Sequence, residues 1–121
     1  MTIFQMIGMK YFQNIDCMII KLQIGEQLND DLFDRKWKMG SCFGPKPFSD
    51  RFHGPINGYE AGKSYLDVCC LNDGDHVLEC ANSIEPYGWG NGYIEISGQR
   101  YCDDFIGFKS FRNVKVKSKQ L

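Results

Sequence analysis

The sequence contains no Cys-x-x-Cys pair, and its two histidines, His53 and His76, stand far from paired-ligand spacing, which excludes the common structural zinc sites. It also lacks charge of one sign. With 14 basic and 15 acidic residues the formal net charge is -1, which gives no field to gather nucleic acid or an anionic membrane. Long apolar runs are missing too. The longest, Cys17 to Ile20, falls far short of the roughly 20 residues that span a bilayer, so no membrane span is expected. Met1 to Ile20 holds Lys10, Asp16 and several amides where a secretory signal would show an unbroken apolar segment and a small-residue cleavage site. No signal peptide is read there, which leaves open a mature start, a fragment, or export by another route. Repeats, low-complexity tracts and interdomain linkers are absent as well.

What is present points to one small β-rich domain. A chain of 121 residues has room for a single core. The 43% hydrophobic content, with nine Phe, six Tyr and two Trp, can offset the conformational entropy of folding. Thirteen glycines exceed the usual share and suit many tight turns between short strands. Six cysteines (Cys17, Cys42, Cys69, Cys70, Cys80, Cys102) are an even number in a small domain, the pattern of an oxidising, extracellular compartment. Buried free thiols in a cytosolic protein are the alternative.

Along the chain, residues 1–14 form an N-terminal arm rich in Met and Phe without a clear period. Ile15 to Ile24 alternates as a strand that Gly25 ends. Glu26 to Lys38 is the one segment with helical spacing, through Leu32, Phe33 and Trp37, although Arg35 to Met39 also reads as a strand. Residues 40–62, dense in glycine with Pro45, Pro47, Pro55 and Asn57-Gly58, read as a long irregular loop that Cys42 could pin. Lys63 to Leu71 and His76 to Ala81 alternate on either side of Asn72-Asp73-Gly74-Asp75, which predicts a hairpin. Gly92 to Ser97 turns at Gly98-Gln99 into Arg100-Tyr101-Cys102, and Phe111 to Lys117 supplies a last strand. The fold class that follows is all-β: a single small antiparallel β-sandwich or jelly roll with disulfides over residues 1–121.

The most specific stretch runs from His76-Val77-Leu78-Glu79-Cys80 through Pro86-Tyr87-Gly88-Trp89-Gly90-Asn91-Gly92 to Tyr101-Cys102-Asp103-Asp104-Phe105. It resembles a β-sandwich module of secreted proteins from marine invertebrates, protists and bacteria, in which a strand ending in Cys leads to a Tyr-Gly-x-Gly-Trp-like loop and a closing Tyr-Cys-x-x-Phe. The resemblance covers Cys69 to about Gly107 and implies an extracellular domain. This chain lacks the module's acidic Asp-Gly step in the loop. Independently of the resemblance, Cys80 closes one strand and Cys102 follows the next hairpin, so a bridge between them would staple the intervening loop. Adjacent Cys69 and Cys70 point to opposite faces of a strand and should reach Cys42 and Cys17 in some order, or another chain.

Candidate ligand-binding residues are Tyr87, Trp89, Asn91 and Tyr93. Trp89 is either a core plug, the commoner fate of a large aromatic, or a platform for a sugar ring. Asp73, Asp75, Asp103 and Asp104 are the candidates for calcium, although neither pair alone supplies the oxygens that cation needs; turn formation and solvated carboxylates are the favoured explanation of them. No catalytic residues are assigned. A Cys-His nucleophile with His53 or His76 has no activating constellation, and Glu79 with Glu95 could be drawn as a carboxylate pair, but two glutamates on strands are what any solvated sheet face shows. The chain is therefore expected to be a non-enzymatic, secreted structural or assembly component of a matrix, filament or biomineral. Its partners would be other copies of itself or a larger extracellular protein. The alternative is a carbohydrate-binding module with glycans as partners, with or without calcium; no other cofactor is implied.

Overall fold

A computed structural model describes residues 14–25, 35–49, 54–55, 58–82, 89, 91–105 and 107–117. The strands are β1 (Ile15–Gln23), β2 (Arg35–Met39), β3 (Cys42–Gly44), β4 (Phe48–Ser49), β5 (Gly54–Pro55), β6 (Ser64–Asn72), β7 (Gly74–Asn82), β8 (Tyr93–Ile96), β9 (Gln99–Tyr101) and β10 (Lys109–Val116). They build two four-stranded antiparallel sheets, ordered β6-β1-β8-β9 and β10-β7-β2-β3, with β4 and β5 pairing separately. The chain is a small disulfide-rich β-sandwich. Among the described residues no helix is long and apolar enough to cross a membrane.

Strict alternation sets which side chains meet in the middle. From the first sheet Met18, Ile20 and Leu22 of β1, Cys69 and Leu71 of β6, and Ile94 and Ile96 of β8 turn inward. From the second come Trp37 and Met39 of β2, Leu78 and Cys80 of β7, and Val114 and Val116 of β10. The β8–β9 turn follows from its sequence. Ser97 and Gly98 take φ of 52° and 80°, the pair of positive angles a two-residue hairpin needs, and glycine supplies one at no steric cost.

The hairpin expected around Asn72-Asp73-Gly74-Asp75 is not formed. Although β6 and β7 are separated only by Asp73, they belong to different sheets: β6 pairs with β1, and β7 with β10 and β2. Two features explain the change of sheet. The Asp73 N–H donates to the Asn14 carbonyl, extending the β1 ladder past the end of β6. Gly74, at φ 133°, then bends the chain in a conformation open essentially to glycine, making a sandwich corner where a hairpin turn was expected.

The described part of residues 40–62 contains short strands where an irregular loop was expected. Cys42–Gly44 adds β3 to the edge of the second sheet, paired with β2, and Phe48–Ser49 pairs with Gly54–Pro55. Arg35–Met39 is the strand of its two readings, with Arg35, Trp37 and Met39 inward. The proposed helical residues 26–34, the arm at 1–13, His53 and Tyr87 lie outside the described residues.

Candidate functional site

The three disulfides organise the surface. Cys80 is joined to Cys102, Cys42 to Cys69 and Cys17 to Cys70, so the two adjacent cysteines of β6 do take different partners. Cys69 faces inward, fully buried, and reaches β3 in the opposite sheet. Cys70 faces solvent and bridges to Cys17, its register partner on β1. With all six thiols consumed, no cysteine is free to act as a nucleophile. His76 is engaged through Nε2 with the Asn72 carbonyl at 2.8 Å.

Around the exposed Cys17–Cys70 bridge lies a group of exposed aliphatic side chains. Ile15, Ile19, Leu66 and Val68, all on the outer face of β1 and β6, are 59%, 59%, 62% and 69% exposed. The register makes them contiguous: Ile15 lies opposite Asn72, Cys17 opposite Cys70, Ile19 opposite Val68, and Lys21 opposite Leu66. Singly exposed apolar residues are normal, whereas a contiguous aliphatic stripe on an outer sheet face is less common. At one end it meets polar residues: Lys21 lies 3.8 Å from Glu95, and the Arg100 guanidinium sits 4.0 Å from the Tyr93 ring centre.

The outer face of the second sheet mixes exposed apolar side chains, Phe43, Val77 and Phe111, with charge. Glu79, largely covered, lies between Lys38 at 3.9 Å and Lys109 at 3.8 Å. These residues, with Lys36, Phe43 and Ala81, line a groove of about 430 Å³. Phe43 is about half exposed and carries Lys46 Nζ 4.4 Å from its ring centre. Glu95 and Glu79 stand on opposite outer faces, so they cannot act as a catalytic pair.

The sequence-derived ligand set is not assembled on the surface. Trp89 is fully buried, its Nε1–H donates to the Ala81 carbonyl at 3.0 Å, and it packs edge-on against Phe105. It is a core plug and cannot be a stacking platform. Asn91 is exposed, and Tyr93 is half-buried beneath Arg100. The calcium candidates do not converge. Asp104 pairs with Arg112 at 2.7 Å and Asp75 with Lys115 at 3.8 Å, Asp73 and Asp103 are exposed, and among the described residues no group of three or more His, Cys, Asp or Glu stands close enough to hold a metal. The Arg112 hydrogen bond and charge hold the Asp104 carboxyl below its ordinary range.

Two interior polar groups escaped the reading of the sequence. Arg35 is 1% exposed, and its Nε and Nη1 have no hydrogen-bond partner among the described residues. Burial pushes its pKa down to about 10, against the opposing charge effect of Tyr59, whose hydroxyl donates to the Arg35 carbonyl. The alternation Arg35, Trp37, Met39 already places its side chain on the inward face. Asp67, also inward, accepts from the Lys46 backbone N–H through Oδ1 at 3.2 Å, and burial raises its carboxyl above the ordinary range despite that bond and the Lys46 charge. No family model, curated protein or solved structure matches this chain.

Proposed function

We propose that this chain is a non-enzymatic extracellular structural or assembly component that acts through protein–protein contacts. The aliphatic stripe Ile15–Ile19–Val68–Leu66 carries the reading, because solvent-exposed β-branched and leucine side chains on a sheet face are stabilised when a second protein surface removes them from water. Three disulfides in so small a domain fit an extracellular location, and secretion is part of the proposal. The resemblance of residues 69–107 to secreted β-sandwich modules supports the same reading. So does the engagement of every cysteine in a disulfide, which leaves no thiol nucleophile.

The test is native-mass fractionation of the tagged chain from the extracellular material of its own cells. Wild type should run in a species well above its 13.9 kDa, and Val68→Lys should release it while leaving the fold intact. Equal migration of the two forms would sink the reading.

A second reading, carbohydrate binding, has a specific observation of its own. The groove on the second sheet offers the exposed ring of Phe43 beside Lys36, Lys38 and Lys109, a combination suited to an anionic sugar. A glycan array with wild type and Phe43→Ala distinguishes the two: binding to acidic glycans that Phe43→Ala loses favours this reading, and a flat array removes it.

A further inference from the structure

We infer that the Cys17–Cys70 bridge is a thiol–disulfide exchange site, at which a cysteine thiol presented among apolar side chains of another polypeptide becomes covalently joined to this chain. The inference goes beyond the assembly reading above and does not depend on it.

Access separates this bridge from the other two. Exchange begins when a thiolate attacks a disulfide sulfur, so its rate depends on whether that sulfur can be reached. Cys17 and Cys70 are both exposed, as a directly opposed pair on the outer face of β1 and β6. In each of the other bridges at least one cysteine is enclosed: Cys69 in its pair with Cys42, and both Cys80 and Cys102 in theirs. β6 is also an edge strand of its sheet, so no described strand pairs with it on the side of Cys70 away from Cys17.

The local structure holds without this bridge. β1 and β6 are paired over nine registered positions, β1 keeps β8 on its other side, and β6 is tied to β3 through Cys69, the residue next to Cys70. Opening the outer bridge therefore does not require the sandwich to open. The step balances without an oxidant. The incoming thiolate bonds to the Sγ of one of the two cysteines, the Cys17–Cys70 bond breaks, and the other sulfur leaves as a thiolate that takes up a proton. One disulfide and one thiol become one mixed disulfide and one thiol.

The surroundings select the thiol. Two residues along the strands on the same face stand Ile15 and Ile19 beside Cys17 and Val68 beside Cys70, all well exposed. Apolar side chains next to an attacking thiol lose water against them, a gain that a small hydrophilic thiol does not make. Among the outward positions of β1 and β6 the only charge is Lys21, already paired with Glu95, so nothing on this ribbon draws an anionic thiol.

The experiment exposes the full-length, oxidised chain to two neutral peptides, acetyl-Leu-Cys-Leu-amide and acetyl-Gly-Cys-Gly-amide, with alkylation to trap the products and peptide mapping to place them. Each rate is divided by the rate of the same peptide on a small linear disulfide. The first adduct should map to Cys17 or Cys70 and form at least about 100-fold faster than any adduct at the buried bridges, which exchange only through opening of the sandwich. Its rate should be flat in urea below the unfolding transition. The leucine peptide should react about fivefold faster than the glycine peptide after correction, the effect of removing a modest apolar area from water. Val68→Lys, at a position exposed in wild type, should abolish most of that preference. Three results would overturn the inference: a first adduct at Cys42, Cys69, Cys80 or Cys102, a rate at Cys17–Cys70 that rises with urea in step with unfolding, or equal corrected rates for the two peptides. Native-state exchange by a chain that runs alone in extracellular material overturns the assembly reading and supports the exchange site, whereas Val68-dependent assembly without native-state exchange does the reverse.

Discussion

The two faces of strand β6 differ in a direction that strand chemistry alone would reverse. The inward face carries Tyr65, Asp67, Cys69 and Leu71, and the outward face carries Leu66, Val68 and Cys70. A carboxylate thus lies partly buried while two aliphatic side chains stand in solvent. Each face also has its own disulfide, reaching across the sandwich from Cys69 and along the sheet from Cys70. The inward face meets fixed neighbours. Asp67 accepts from the Lys46 N–H beside Gly44 and Trp37, and Cys69 closes the seam between β3 and β6. On the outward face Cys70 meets Cys17, while Leu66 and Val68 stay 62% and 69% exposed, the surface that the proposed assembly would cover.

The largest expected effect concerns the two disulfides. Loop closure alone would rank the outer bridge first: a sequence separation of 53 corresponds to about 4 kcal/mol, against about 3.5 kcal/mol for the separation of 27 at Cys42–Cys69. Burial reverses that order. Cys69 is fully enclosed, so Cys42→Ala with Cys69→Ala adds a packing defect of about 1 kcal/mol or more to the lost constraint, whereas Cys17→Ser with Cys70→Ser alters only a solvent-exposed pair. Urea denaturation of the two double variants under non-reducing conditions should place the inner one as less stable. The opposite order would mean that chain entropy governs both faces alike.

Next in size is a single methyl group at the seam. A Cβ at Gly44 would lie 2.6 Å from Asp67 Oδ2, 2.7 Å from Trp37 Nε1 and 2.8 Å from Trp37 Cζ2. Gly44→Ala should therefore cost about 2 kcal/mol through overpacking. Val68→Ala, one strand position from Asp67 but facing outward, should change monomer stability by no more than about 0.5 kcal/mol. Thermal melts of both variants at concentrations that keep the protein monomeric would test the contrast, and similar losses for the two would erase it.

Much of this arrangement could be read from the residues, and what could not has a physical reason. Adjacent Cys69 and Cys70 must point apart, which required different partners, and Gly98 beside a β-rich run announced the β8–β9 turn. The strand β6 was equally plain, but its useful face was not. With Leu66, Val68 and Leu71 divided between the two sides, alternation yields two half-apolar faces, and only contacts distant in sequence choose between them. The β6–β7 corner failed for a related reason. Asn-Asp-Gly-Asp is compatible with a hairpin locally, and its rejection depends on β7 having both of its edges taken, by β10 and β2. Trp89 had two fates, and its indole N–H found a carbonyl inside. Arg35 was passed over because the charged run Asp34-Arg35-Lys36 reads as surface, while here burial holds the whole Arg35 side chain within the sandwich.

The smallest effect distinguishes a carboxylate turned inward from one turned to solvent. Burial raises the Asp67 carboxyl above its ordinary range, so the folded chain binds that proton more tightly than the unfolded chain does. Its contribution to stability is therefore greatest below the ordinary carboxylate range and falls as pH rises through the raised value; at neutral pH the ionised group is a net cost. Asp104 has the opposite sign. Arg112 lowers its folded value, so its contribution is present above the ordinary range and is lost as pH falls through the lowered one. Asp67→Asn keeps an acceptor for the Lys46 N–H and removes the charge, and should stabilise the protein at neutral pH by about 0.5 kcal/mol, a figure held low by partial solvent access. Asp104→Asn should be slightly destabilising there. Melting temperatures of wild type and both variants, followed from neutral to acid pH, should give difference curves that approach zero in acid from opposite sides. Curves of the same sign would show that the inward position of Asp67 carries no electrostatic penalty, and with it the contrast between the two faces of β6 would lose its charged half.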